Sequence, residues 1–119
     1  MPTRHTADSS PEYLTPVIYH TLLVLSAGPR HGYAISQEVE ALTDGRVSMG
    51  PGTLYGTLQR LSEYGWLERT EAVEAEGPHA GRRRYYALTP TGRDVLRTEA
   101  ERLASAVHLA EEHAVLPTP

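Results

Sequence analysis

The chain has 119 residues, of which 39 % are hydrophobic and 22 % charged, and this balance is typical of one folded domain and excludes a disordered chain. It contains no cysteine, which excludes disulfides, thiol catalysis and thiolate metal sites. The net charge of −4 argues mildly against nucleic-acid binding, but a local run of arginines can still contact phosphates.

The N-terminal residues 1–11 are predicted to form a flexible arm. They are polar and lack the apolar core of a signal peptide. The apolar run Val17–Leu25 is short and interrupted by polar residues, so it cannot span a membrane. We therefore expect a cytoplasmic protein with no membrane partner. Thr15-Pro16 is a typical helix start, and helix one is predicted over 13–27, before Gly28-Pro29.

Two further helices are predicted in the first half of the chain. Helix two runs from Gly32 to Thr43 and is followed by an Asp44-Gly45 turn. Helix three begins at Gly50-Pro51 and ends at Gly65. Each helix repeats large aliphatic residues at positions i, i+4 and i+7, which predicts one buried stripe. The stripes are Ile35, Val39 and Leu42 in helix two, and Leu54, Leu58 and Leu61 in helix three.

The pattern changes to strands after helix three. Trp66–Val73 and Arg83–Leu88 are predicted strands, joined by the polar loop Glu74–Arg82 with its glycines and proline. Two helices joined by a short turn, followed directly by such a hairpin, predict a winged helix-turn-helix. In that fold the third helix lies in the DNA major groove and the hairpin, or wing, contacts the flanking backbone.

The last helix is predicted over 91–114, with a flexible tail over 115–119. Its apolar or small residues follow the alternating spacing of four and three that is typical of a helix pairing with another helix. Such a long seam would be exposed in a monomer, so we expect a homodimer, the alternative being that the seam packs on the chain's own core. The predicted dimerisation residues are Leu96, Ala100, Leu103, Val107 and Ala110.

The predicted fold class is therefore mainly α with a small β-hairpin: a winged helix-turn-helix plus a long C-terminal dimerisation helix. The chain divides into an arm (1–11), a winged helix-turn-helix DNA-binding domain (12–90), the dimerisation helix (91–114) and the tail (115–119).

Four sequence blocks carry a family resemblance. They are His31-Gly32-Tyr33, the run from Gly52 to Leu61, Tyr64-Gly65-Trp66-Leu67, and the run from Gly81 to Gly92. In order and spacing they resemble the short members of the PadR family of transcriptional regulators, over roughly residues 14–110. The resemblance implies a winged-helix homodimer, usually a repressor, on a palindromic double-stranded DNA operator. It also implies a small-molecule effector, and pairing of the last helix with the partner's first helix.

The DNA-binding residues are predicted from their positions in these blocks. Two residues with hydroxyl groups lie at the start of helix three, and two longer polar side chains lie on its outer side. One tyrosine lies at the start of helix two, and three arginines lie in the wing. These residues are Tyr33, Thr53, Tyr55, Gln59, Arg60, Arg82, Arg83 and Arg84. Strand alternation puts Arg83 and Tyr85 on one face and Arg84 and Tyr86 on the other. Tyr55 is equally interpretable as a packing residue.

Two alternative functions stay open. A winged-helix protein-interaction module that never touches DNA is favoured by the net acidity and by Glu63 and Glu74 near the supposed DNA face. A ligand-sensing regulator would use an aliphatic pocket at the dimer interface, because the seam offers Leu103, Ala106 and Val107 but no aromatic residue for stacking.

An enzyme is not predicted, since no nucleophile elbow or catalytic triad pattern occurs. We expect no catalytic residues and no cofactor. His108 and Glu112, with His113 beside them, have a spacing that could bind a metal. Surface histidines near a helix end are much commoner than metal ligands, so no metal site is predicted.

Overall fold

The computed structural model describes residues 13–74 and 81–119, and the side chains of 72–74 and 81–83 are outside that description. The predicted arm (1–11) lies outside the described residues. The described elements are α1 (Pro16–Leu25), β1 (Arg30–His31), α2 (Gly32–Leu42), α3 (Pro51–Glu63), β2 (Leu67–Glu74), β3 (Gly81–Leu88) and α4 (Pro90–Glu112). The fold class is confirmed, because four helices surround one small antiparallel sheet.

Proline at the first helical position starts three of the helices, α1, α3 and α4. Thr15 caps α1, its Oγ1 accepting the Ile18 N–H at 3.2 Å, and Thr89 caps α4, its Oγ1 accepting the Gly92 N–H at 3.0 Å. Helix α1 is shorter than the predicted 13–27. It cannot include residues before Thr15, because that cap residue is extended, with ψ 161°.

The sheet contains a strand that the sequence did not predict. Strand β1 pairs antiparallel with β3, Arg30 opposite Tyr86 and His31 opposite Tyr85, which gives the order β1-β3-β2. With two residues, β1 is too short to show an alternating pattern. The predicted loop from Glu74 to Arg82 was also too long, because pairing of β2 with β3 continues to Glu74 opposite Gly81.

The core lies between α1, α2, α3 and the sheet. The predicted stripe of α3 is confirmed as buried, and Trp66 and Tyr86 join it from the base of the wing. The predicted stripe of α2 is wrong at its end. Leu42, the last residue of α2, is 60 % exposed, because it lies beyond the part of the helix that the core covers.

Helix α4 begins on the core and then leaves it. Leu96 is buried in the core of its own chain, whereas Leu103 is 37 % and Val107 47 % exposed. The first residue of the predicted seam therefore already packs within the protomer. In the described part of the chain, no helix combines the length and the apolar character needed to cross a membrane.

An ion pair within α4 contacts the segment that precedes α1. Glu99 is buried, and its carboxylate accepts hydrogen bonds from Arg102 Nη2 at 2.5 Å and Nε at 3.1 Å. The hydrogen bond from Arg102 lowers the pKa of Glu99, and a bond from the Leu14 backbone acts in the same direction. The Arg102 guanidinium also stacks over the Tyr13 ring, 4.4 Å from its centroid. These contacts hold the residues that precede α1 against α4.

Candidate nucleic-acid interface

Helix α3 has one apolar and one polar side. Leu54, Leu58 and Leu61 face the core, and the opposite side presents predicted DNA-binding residues to solvent. The exposed residues of that side are Gly52, Thr53, Tyr55, Gln59, Arg60 and Glu63. The period of 3.6 residues per turn produces this division. Thr53, Tyr55, Gln59 and Arg60 therefore lie on one accessible helix surface.

Tyr55 combines exposure with packing. Its side chain is 47 % exposed, yet its ring lies against Gly32 at the start of α2. A Cβ atom at Gly32 would come within 2.8 Å of the Tyr55 ring, so only glycine leaves room for this contact. Tyr55 thus connects the starts of α2 and α3 by packing, while part of its side chain stays exposed.

The block His31-Gly32-Tyr33 is mainly structural. His31 caps α2 by accepting the Ala34 N–H on Nδ1 at 3.3 Å, and its ring meets the Tyr85 ring edge-on at 5.8 Å. Tyr33 follows as an exposed residue in the first turn of α2. Of this block, Tyr33 is the side chain available to a partner.

The longer polar side chains of α3 have partners on the helix itself. Gln59 Nε2 donates to Glu63 Oε2 at 3.3 Å, one turn further along. Arg60 Nη2 makes a long contact of 3.5 Å with Thr57 Oγ1. The hydrogen bond of Glu63 with Gln59 was not predicted, although their i, i+4 spacing is a signal for such a pair.

Arginines of the wing lie on β3. Arg84 is exposed and stands opposite Glu71 of β2 in the strand register, while Tyr86, two residues on, is buried in the core. The side chains of Arg82 and Arg83 are outside the described residues, so their predicted contacts stay predictions. Tyr86 is a core residue and takes no part in the exposed surface.

The base of the wing is held by the block that ends at Gly92. Thr89 Oγ1 donates to the Gly65 carbonyl at 2.6 Å, and the Thr89 N–H donates to the Trp66 carbonyl at 3.0 Å. Gly92 lies so close that a Cβ there would overlap the Trp66 carbonyl oxygen. The end of α3, the start of β2 and the start of α4 therefore form one rigid junction, which fixes the wing relative to α3.

A groove lies between α3 and the wing. It has a volume of about 530 Å³ and is lined by Gln59, Ser62, Glu63, Leu67, Glu68 and Arg69. Arg69 was not among the predicted residues, because nothing in its strand position distinguishes it from other exposed charges. The polar side of α3 and the first wing strand thus border a common surface.

Two other candidate sites are the histidine–glutamate pair of α4 and a cavity between α1 and α2. Among residues 13–74 and 81–119, no group of three metal-ligating side chains comes together. His108 Nε2 instead lies 3.1 Å from Glu112 Oε2. A second cavity, of about 450 Å³, is lined mainly by aliphatic side chains between α1 and α2: Leu23, Val24, Ala27, Ala41 and Leu42, with Glu38.

Comparison with known proteins decides the family. The sequence model described as the transcriptional regulator PadR-like family matches residues 21–98. The chain belongs to the PadR-like family. This confirms the resemblance drawn from the four blocks. Members of this family are transcriptional regulators and not enzymes.

A transposon-encoded protein and a transcriptional regulator of known structure are similar to this chain. A 37.1 kDa protein of transposon TN4556 from Streptomyces fradiae is 40 % identical over 96 residues, which are 79 % of this chain and 25 % of that protein. The chain therefore spans a quarter of that relative's length. A transcriptional regulator from Clostridium thermocellum superposes with a TM-score of 0.67 at 26 % identity, covering 81 % of this chain and 87 % of the other.

A third similar structure is Bacillus subtilis PadR in complex with operator DNA. Its TM-score is 0.61 at 20 % identity, and the match covers 71 % of this chain and 46 % of the other. At this identity the likeness shows the fold, and it supports the winged helix-turn-helix architecture.

Proposed function

We propose that this PadR-like protein is a sequence-specific DNA-binding regulator, a repressor, that acts as a homodimer on a palindromic operator. The observation that carries the proposal is the placement of the polar side of α3 next to the wing, across one groove. In a helix-turn-helix protein this helix enters the major groove. That Bacillus subtilis PadR was solved with operator DNA supports the same use of the fold here.

In this proposal the predicted residues contact DNA from three places: the starts of α2 and α3, the wing, and the outer side of α3. Thr53 and Tyr55, at the start of α3, and Tyr33, at the start of α2, offer hydroxyl groups to phosphates or base edges. Arg84 contacts the flanking backbone from the wing, together with Arg82 and Arg83. Gln59 and Arg60 offer the longer side chains on the outer side of α3.

The homodimer is proposed from α4. Leu103 and Val107 are exposed, and Ala100 and Ala110 lie on the same side of the helix at heptad spacing. Because Leu96 is already buried in its own chain, the partner contact is proposed for residues 100–110. A two-fold dimer presents two copies of α3, which is the reason for proposing a palindromic operator. Occupation of both half-sites excludes other proteins from the same DNA, as expected of a repressor.

An effector is a further part of the proposal. The cavity between α1 and α2 is mainly aliphatic and would accept a small apolar molecule. Aromatic stacking is not expected there, because the described lining contains no aromatic side chain.

Replacing Arg84 by Ala should weaken DNA binding by removing one phosphate contact. The expected result is lower affinity for specific and shuffled duplexes alike, and a salt slope (log affinity against log salt) that is shallower by about 0.9. Fluorescence anisotropy with the DNA upstream of the protein's own gene, across a salt series, measures both. Arg97→Ala is the control, because Arg97 is an exposed arginine on α4 that pairs with Asp94, away from the groove.

Two outcomes would count against the proposal. If the wild-type protein binds the upstream DNA no more tightly than a shuffled duplex at moderate salt, sequence-specific regulation is wrong, and a protein-interaction module becomes the better account. If Arg84→Ala keeps the wild-type salt slope, the wing does not contact phosphate.

A further inference from the structure

We infer that Gln59 reads an adenine in the major groove and that Glu63 is the positioning residue that orients its amide. The inference rests on the proposed function, since it requires α3 to lie in the groove. It gives a role to Glu63, an acidic residue on the surface that would face DNA.

The hydrogen bond between the two side chains fixes the direction of the amide. Gln59 and Glu63 are four residues apart and lie on the same side of α3, and their nitrogen and oxygen atoms are 3.3 Å apart. An ionised carboxylate can only accept hydrogen bonds. The NH₂ group of Gln59 must therefore face Glu63, and the carbonyl Oε1 must face away from it.

This orientation leaves a donor and an acceptor side by side. Glu63 uses one of the two N–H bonds of Gln59, so the second N–H and the Oε1 atom are available to a base. Adenine offers the acceptor N7 and the donor N6–H₂ on its major-groove edge, which matches both groups. Guanine offers two acceptors there, and its O6 would face the Oε1 of Gln59. The pair therefore favours adenine and disfavours guanine.

The surroundings leave Gln59 accessible. Gln59 and Glu63 are both exposed, and Gly56, three residues before Gln59, has no side chain to cover it. A Cβ at Gly56 would meet only the Arg60 guanidinium, at 3.8 Å, among the described residues. Arg69 lines the same groove as Glu63, together with a second acidic residue, Glu68.

The test compares base preference across the operator. Each base pair of the upstream site is changed in turn, and binding is measured by anisotropy for the wild-type protein, Gln59→Ala, Glu63→Ala and Glu63→Gln. In the wild type, one adenine per half-site should be preferred over guanine by about tenfold or more. Gln59→Ala should lose this preference at that position alone. Glu63→Ala should reduce it at the same position, and Glu63→Gln, whose amide oxygen still accepts, should restore most of it.

Glu68→Ala is the matched control. Glu68 lines the same groove and carries the same charge, but it is Glu63 that accepts the hydrogen bond from Gln59. Both acidic substitutions should raise affinity for shuffled DNA by a similar factor, because each removes one negative charge near phosphates. Only Glu63→Ala should change the base preference.

The outcomes separate this inference from the proposed function. If the wild type shows no sequence preference at all, the proposed function fails. If it binds specifically but Gln59→Ala keeps every base preference, the inference is overturned while the function stands. If Glu63→Ala changes preference at a cytosine and Gln59→Ala does not, Glu63 reads the base itself, and the positioning role is wrong.

Discussion

Replacing Leu103 by Glu is expected to turn the proposed dimer into a monomer at micromolar concentration. Leu103 is exposed on α4 in the middle of the heptad seam. A two-fold interface contains two copies of the position, so two carboxylates would be buried without partners. Each costs several kcal/mol, and about 1.4 kcal/mol corresponds to a tenfold change in Kd. The dimer Kd should therefore rise on the order of 1,000-fold.

Light scattering and sedimentation velocity measure this change directly. Ser105→Glu is the control, because Ser105 is exposed on α4 about 200° around the helix from Leu103. It adds the same charge to the same helix and should leave the dimer intact. A Leu103→Glu protein that stays dimeric would place the interface on another surface.

Replacing Gly92 by Ala should destabilise the whole fold. The added Cβ would overlap the Trp66 carbonyl oxygen and come within 2.9 Å of Leu88 Cδ1. The first of these neighbours is backbone at the base of the wing, so it cannot rotate away. We expect the free energy of unfolding to fall by about 3 kcal/mol, which is at the upper end of the range typical of an overpacked core. Urea denaturation followed by circular dichroism measures it.

Gly52→Ala provides the matched control for Gly92→Ala. Gly52 lies in the first turn of α3, and a Cβ there would meet no described atom within 4 Å. Alanine favours the helix over glycine by up to about 1 kcal/mol, so this variant should be as stable as the wild type or slightly more stable. Equal stability of the two variants would mean that the junction around Gly92 can rearrange.

The start signals of three helices were readable from the sequence because their causes are local, although helix one was predicted to begin three residues too early, at residue 13. Thr15-Pro16, Gly50-Pro51 and Thr89-Pro90 each combine a cap residue with proline at the first helical position, and each begins a helix. The cap bonds of Thr15 and Thr89 join residues three apart, and α3 starts from the adjacent glycine and proline without a side-chain cap bond, so in each case the signal lies within a few residues.

The errors arise where distant residues decide the structure. Strand β1 exists because β3, more than fifty residues later, offers it a free edge. Leu42 fits the stripe of α2 but is 60 % exposed, and Leu96 fits the seam of α4 but is buried by its own core. Periodicity identifies the apolar side of a helix, but it does not identify what covers that side.

The sequence was enough to predict which residues lie on the exposed side of α3, but it was not enough to predict which other residues they contact. Thr53, Tyr55, Gln59 and Arg60 lie on the exposed side of α3 because helical period alone puts them there. The contact of Tyr55 with Gly32 required the packing of α2 against α3.

The number of chains bound to one operator duplex shows whether this protein acts on DNA as a dimeric, sequence-specific regulator. Native mass spectrometry of the protein with the DNA upstream of its own gene gives this number, with a shuffled duplex as reference. A dimeric winged-helix regulator predicts two chains per duplex, on the upstream DNA and not on the shuffled one. One chain per duplex, or equal binding to both duplexes, would contradict it.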